Sequence, residues 1–220
     1  MDINFNNLKN LPIFTRGFIL SLSAPSGGGK STLASRLMDD KSLNFNSSIS
    51  ITTRLPRGNE KNAIDYYFVS KEEFLQLVKN NSLLEWAEIH GHYYGTPYLE
   101  VEKNLVKGNN ILFDINWEGV KQIKTICPED IVSVFILPPS ASQLKQRLHK
   151  RGEDNLSLIK KRIETAKIEI EQYQLFDYLL INDDIEQTTQ QLISIIIAEQ
   201  QKIKRKQNLS NFIYNFSNDL

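Results

Sequence analysis

Residues 26–31 read SGGGKS and follow the apolar run FILSL at 18–22 after three intervening residues. Consecutive glycines carry no Cβ, so the backbone can curl and aim several N–H groups at one centre, where the oxygens of a phosphate fit. A helix starting just after the loop adds its positive end. Lys30 would bring a full charge to the outer phosphates of a nucleotide, and the Ser31 hydroxyl is a natural ligand for Mg²⁺. Ser26, Gly27, Gly28, Gly29, Lys30, Ser31 and Thr32 are therefore the candidate triphosphate cradle. The first glycine of the usual pattern is Ala24 here, a small residue at the strand end that leaves the cradle intact. A plain Gly-rich turn would need neither the Lys-Ser pair nor the apolar strand before it.

A second anion site is suggested by TTRLPRGNE at 52–60, with Arg54 and Arg57 around a proline, Glu60 behind them, and Tyr66 and Tyr67 downstream. Two planar guanidinium forks and a phenol can clamp a phosphate and fix its orientation, which a lysine point charge does not do. Two surface arginines in a turn are the alternative. A third basic group lies in the charged stretch 140–167. Arg147 and Arg151 are four apart and share a helix face, and Arg162 follows a break at 152–155. Lys145, Lys150, Lys160 and Lys161 leave a solvated charged helix open as the other reading.

Buried strands are expected at 18–22, 111–115, 131–137 and 178–181, each a short branched-aliphatic run followed by helical text. The alternation predicts an α/β fold, a parallel sheet flanked by helices, with ligands beyond the carboxyl ends of the strands. Residues 49–99, rich in Thr, Tyr, Gly and charge, read as an inserted mixed β unit with one helix at 71–79. That helix is opened by Ser70 with Glu73 at capping-box spacing. The weakly apolar stretch 140–167 reads as a moving lid. The expected organisation is an N-terminal extension at 1–16, taken as loosely ordered, then core at 17–48, insertion at 49–99, core at 100–141, lid at 142–166, core at 167–205 and a tail at 206–220. The last helix, from about 185, is expected to run into a solvated basic end, KIKRK at 202–206.

The 220 residues are 40% hydrophobic and 24% charged, enough for a sizeable core. Basic and acidic residues number 26 each, so no global field draws the chain to nucleic acid or an anionic membrane. The single Cys127 excludes an internal disulfide and fits a reducing compartment, the cytoplasm by default. No apolar run approaches the roughly 20 residues of a membrane span, and a soluble protein is expected. The three histidines form no zinc pattern, and Trp86 and Trp117 read as packing residues. Nothing in the sequence selects monomer or homo-oligomer.

From about Gly17 to Arg205 the chain resembles the guanylate kinases: APSGGGKS, TTRLPRGNE with Asp65-Tyr66, LLEWAEIHGHYYGT, ILFDINWEGV, VFILPPS, RLHKRG and LLIND occur in one order. The resemblance implies a P-loop NTPase fold carrying a GMP-binding insertion and a helical lid. It implies transfer of the γ-phosphoryl group of ATP to GMP, giving ADP and GDP, with Mg²⁺. Arg54, Arg57, Tyr66 and Tyr94, with Glu60 beside them, would hold the GMP phosphate. Glu85 would accept from guanine N1–H and the 2-amino group, and Ser50 and Thr96 would address O6. Adenine offers neither donor, and a mismatch of this kind can discriminate by about 10⁴ to 10⁵. Asp114 would border GMP and reach the metal through water, beside Ser31. Arg147, Arg151 and Arg162 match phosphate-contacting lid arginines and, with Lys30 and Arg54, form the expected catalytic set. Asn182 resembles the adenine-contacting residue. The family commonly reads Asp-Ile-Asp where this chain has Asp114-Ile115-Asn116, and Asn116 would equally serve as a helix cap. Two other readings remain: a guanylate-kinase-like scaffold module that binds phosphopeptides, and a P-loop kinase for another small acceptor.

Overall fold

The structure is a computed structural model that describes residues 12–151 and 156–220, excluding the side chains of 150, 151 and 156. In chain order its elements begin with strand β1 (Phe14–Thr15), β2 (Ile19–Ser23), helix α1 (Lys30–Asp39) and β3 (Phe45–Asn46). β4 (Ile51–Thr52), β5 (Tyr67–Phe68), α2 (Lys71–Lys79), β6 (Leu83–Ile89) and β7 (His92–Pro97) come next. Then follow α3 (Tyr98–Val106), β8 (Asn110–Asp114), α4 (Trp117–Ile126), β9 (Ile131–Leu137), α5 (Ala141–Arg151) and α6 (Leu156–Glu171). The chain closes with β10 (Tyr178–Ile181), α7 (Ile185–Gln201), β11 (Lys206–Gln207) and α8 (Leu209–Asn218).

The central sheet is parallel, in the order β10-β9-β2-β8-β3. Side chains of a strand alternate between faces, and both faces of β2, β8 and β9 are covered, whereas Leu179 and Ile181 of the edge strand β10 are 46% and 47% exposed, so the two-sided burial expected for 178–181 fails there. Phe18, Leu20 and Leu22 pack with Leu33 and Leu37 of α1 and Leu192 and Ile196 of α7. Ile19, Ile111 and Phe113 pack instead with Val101 and Leu105 of α3 and Val120 and Ile123 of α4. The parallel sheet with two helical layers is the architecture expected from the strand and helix pattern.

The stretch between β3 and α3 forms a separate mixed sheet, β5-β4-β7-β6, with β4 parallel to β5 and antiparallel to β7. Phe74 of α2 is fully buried beneath it, its ring centroid 5.4 Å from that of Tyr93 and 6.5 Å from that of Trp86. The expected capping box forms: the Glu73 N–H donates to Ser70 Oγ at 3.1 Å, and the Ser70 N–H to Glu73 Oε2 at 2.7 Å.

The ends depart from expectation in part. Residues 1–11 of the 1–16 stretch lie outside the described residues, but its last residues are tied down rather than loose, since β1 pairs antiparallel with β11 and Arg16 binds both Asp130 (2.7 and 2.9 Å) and Glu102 (3.0 Å). The run 202–206 is no helix end, and although Lys202 and Lys204 are exposed as expected, Arg205 is not. α7 stops at Gln201, and Arg205 turns inward to 1% exposure against Glu199 and 4.7 Å over the Phe18 ring. Burial, with a smaller push from the Arg16 charge, lowers the Arg205 pKa, and the Glu199 carboxylate, itself held below its ordinary range, supplies the compensating charge.

Candidate active site

β2 delivers the glycine loop to the carboxyl edge of the sheet. The Gly28 N–H closes a turn on Pro25 O at 2.8 Å, and Gly29 has a φ of +95°, open to glycine but strained for side-chain-bearing residues. A Cβ at Gly28 would lie 2.7 Å from that of Ala24. The alanine that departs from the usual motif is therefore accommodated by the bare Gly28 opposite it. Asn182, at the end of β10, donates its amide to Gly28 O at 3.0 Å, and a Cβ on Gly29 would meet that amide at 2.2 Å. One strand end thus locks the curvature of the loop that leaves another.

Two cavities adjoin this loop. The first, about 550 Å³, lies among Gly27, Gly29, Thr32, Arg147, Asn182 and Asp184. The Arg147 guanidinium reaches across from α5 to Gln143 Oε1 (3.3 Å), Asn182 O (3.4 Å) and Gly27 O (3.5 Å). The second cavity, about 310 Å³, lies inside the loop and includes Ser26, Lys30, Ser31, Asp114 and Glu169. Lys30 is ion-paired to Asp114 at the end of β8. Glu169 of α6 was not anticipated from the sequence. Burial raises its pKa while the nearby Lys30 charge opposes the rise, and only the returning lid helix brings it here.

Of the other lid arginines, the side chain of Arg151 lies outside the described residues. Arg162 keeps its Nη1 buried without a hydrogen-bond partner. Arg162 lines neither of the two cavities, so the structure does not bring it to the loop. A backbone cradle and a lysine beside a carboxylate suit a phosphate chain. The Ser31 hydroxyl and Asp114 are hard oxygen donors of the kind that hold a magnesium ion bound to such a chain.

The residues expected to form the second site lie on the mixed sheet and its loops. Arg54 is buried, and its guanidinium donates to both Glu60 carboxylate oxygens, at 2.8 and 3.1 Å, and to Leu55 O at 2.9 Å. It stands 5.3 Å from the Tyr66 ring centroid and 5.9 Å from that of Phe68. Hydrogen bonding to Glu60 raises the Arg54 pKa, and the same bond lowers that of Glu60. The Arg57 N–H also donates to Glu60, at 2.8 Å, while the Arg57 side chain is exposed. Tyr66 and Tyr94 meet edge to face, with centroids 6.3 Å apart. On β6, Glu85 Oε1 accepts from the buried Thr96 hydroxyl at 2.7 Å, and burial raises the Glu85 pKa. Ser50 stands at the head of β4, its carbonyl accepting from Tyr67 N–H.

Asn116 caps α4, its Oδ1 accepting from Gly119 N–H at 3.1 Å. Another residue that sequence reasoning missed is Gln122 of α4. Its side chain accepts from Trp86 N–H and donates to Trp86 O, both at 3.0 Å, tying the insertion to the core through an outer strand. No local pattern marks that role.

A parallel sheet with a phosphate loop, an arginine-lined unit beside it and a helical pair above it together define a P-loop phosphotransferase of the nucleoside monophosphate kinase class. The guanylate kinase family model matches residues 16–199. A guanylate kinase from Agrobacterium fabrum is 40% identical over 207 residues, covering 94% of each chain. One from Mesorhizobium japonicum is 43% identical over 199 residues, 90% of each. The crystal structure of guanylate kinase from Anaplasma phagocytophilum superposes with a TM-score of 0.69 at 35% identity, covering 92% of this chain and 96% of that one. The chain belongs to the guanylate kinase family.

Proposed function

We propose that the chain transfers the γ-phosphoryl group of ATP to GMP, yielding ADP and GDP. The observation that carries this reading is the part-buried Glu85–Thr96 pair on the same small sheet as the Arg54–Glu60 clamp. It is a site that reads a base edge and a phosphate at once.

Phosphoryl transfer asks little covalent work of a protein, so positioning and charge neutralisation dominate. In this reading Ser26 to Thr32 hold the triphosphate, with Lys30 on its outer phosphates, and Asn182 keeps the loop curved beside the adenine. Arg54, Arg57, Tyr66 and Tyr94 fix the GMP phosphate so that its oxygen attacks in line, and Glu60 holds Arg54 in register. Glu85 takes the guanine N1–H and 2-amino donors, while Ser50 and Thr96 face O6. Arg147, Arg151 and Arg162 bring charge as the lid closes and water is excluded. Ser31 and, through water, Asp114 would hold Mg²⁺, which supplies charge neutralisation on the phosphates when bound.

We take the core as 17–48, 100–141 and 167–205, with the GMP unit at 49–99 and the lid at 142–166, flanked by segments 1–16 and 206–220. We place the enzyme in the cytoplasm. Burial pushes the thiol of Cys127 up to about 12, which suits an inert cysteine in a reducing milieu. Among the described residues no helix is long and apolar enough to cross a membrane.

A coupled assay for ADP with ATP and GMP, AMP or UMP tests the reaction, with a phosphopeptide pull-down beside it. Turnover confined to GMP is expected. Equal turnover of AMP, or peptide capture without turnover, overturns the reading.

A further inference from the structure

A cavity of about 500 Å³ opens where the insertion meets α4, and its wall includes Glu85, Glu88, Asn116 and Glu118. Guanine presents three N–H donors on one edge, one at N1 and two on the 2-amino group. The two oxygens of Glu85 can take N1–H and one amino hydrogen, which leaves the other amino hydrogen in need of an acceptor. Asn116 offers a weaker acceptor than a carboxylate: its neutral Oδ1 is already shared with the Gly119 N–H, and its amide donates to Glu118 Oε2 at 3.0 Å. That second bond orients the Glu118 carboxylate on the cavity wall through one oxygen, with Oε1 engaged by no partner among the described residues.

We propose that Glu118 is a specificity-determining residue that accepts the outward hydrogen of the guanine 2-amino group. The inference rests on the GMP reading above and names the residue that completes it. IMP separates the two, because it keeps N1–H and O6 and lacks only the 2-amino group. Removing Glu118 should therefore weaken GMP and spare IMP.

The test measures KM and kcat for GMP and IMP with wild type, Glu118→Ala and, as a wall control, Glu88→Ala, after calorimetry with ATP confirms that each variant folds. The expected result is a GMP KM raised about tenfold in Glu118→Ala, with the IMP KM and both kcat values near wild type. Equal shifts for both nucleotides, no shift for either, or the GMP-selective loss appearing in Glu88→Ala instead would overturn the proposal. A wild-type enzyme that leaves GMP unphosphorylated would overturn the functional reading itself, a distinct outcome.

Discussion

Asp114 and Asn116 stand two residues apart at the end of β8 and open onto different cavities: Asp114 borders the glycine loop, and Asn116 borders the wall that carries Glu85. In the proposed function a single strand end thereby sets the candidate donor pocket against the candidate acceptor pocket. Misplacing either nucleotide by about 1 Å can cost about 10²-fold in rate.

Lys30→Ala should lower kcat by at least about 10³-fold, because the charge at the transferred phosphate is lost. Folding should survive, since the Lys30 side chain is anchored by Asp114 alone among the described residues' ion pairs. A stopped ADP assay and a thermal melt read the two effects separately.

Glu85→Gln should raise the GMP KM by about 10- to 100-fold and relax rejection of AMP, because the part-buried carboxylate no longer meets two donors. Burial raises the wild-type Glu85 pKa, so this carboxylate takes a proton at a higher pH than a free glutamate. The GMP KM should therefore climb as pH is lowered from 7 towards 5, and Glu85→Gln should flatten that climb. KM measured across this window checks both.

Arg54→Lys should weaken GMP through its phosphate, since a lysine cannot keep both Glu60 oxygens and the Leu55 carbonyl engaged at once. We expect the GMP KM to rise about tenfold or more while the ATP KM stays near wild type. Steady-state kinetics with each substrate varied in turn decide it.

Arg205→Ala should cost about 3 kcal/mol and lower Tm by roughly 6–12 °C, because Glu199 loses a buried partner. Glu199 has a depressed pKa, so its contribution is present at neutral pH and above the ordinary carboxylate range, and is lost as pH falls through that depressed value. The mutant and wild-type melting curves should accordingly converge in acid, as calorimetry at several pH values would show.

The glycine loop, the sheet strands and the Ser70 cap were legible because each is written in a few adjacent residues. Arg54, Glu60, Glu85 and Thr96 could be named from their blocks, but their pairing follows from strand register, which brings Glu85 opposite Thr96 across an irregular β6–β7 ladder. Glu169 and Gln122 were not legible: each acts on a partner 36 or more residues away, and neither sits in a distinctive local pattern. The basic run at 202–206 misled on solvation only at Arg205. A helix-end composition describes solvation only when nothing claims the charge, and Glu199, six residues back, with the distant Phe18 ring claims that of Arg205.

The grip of Gln122 on Trp86 reaches beyond the site. β6 is the outermost strand of its sheet, and a bare rim of peptide groups invites another chain to add on. By occupying both peptide groups of Trp86 at the middle of the rim, one glutamine blocks that docking register, so the same bridge doubles as a guard against self-aggregation.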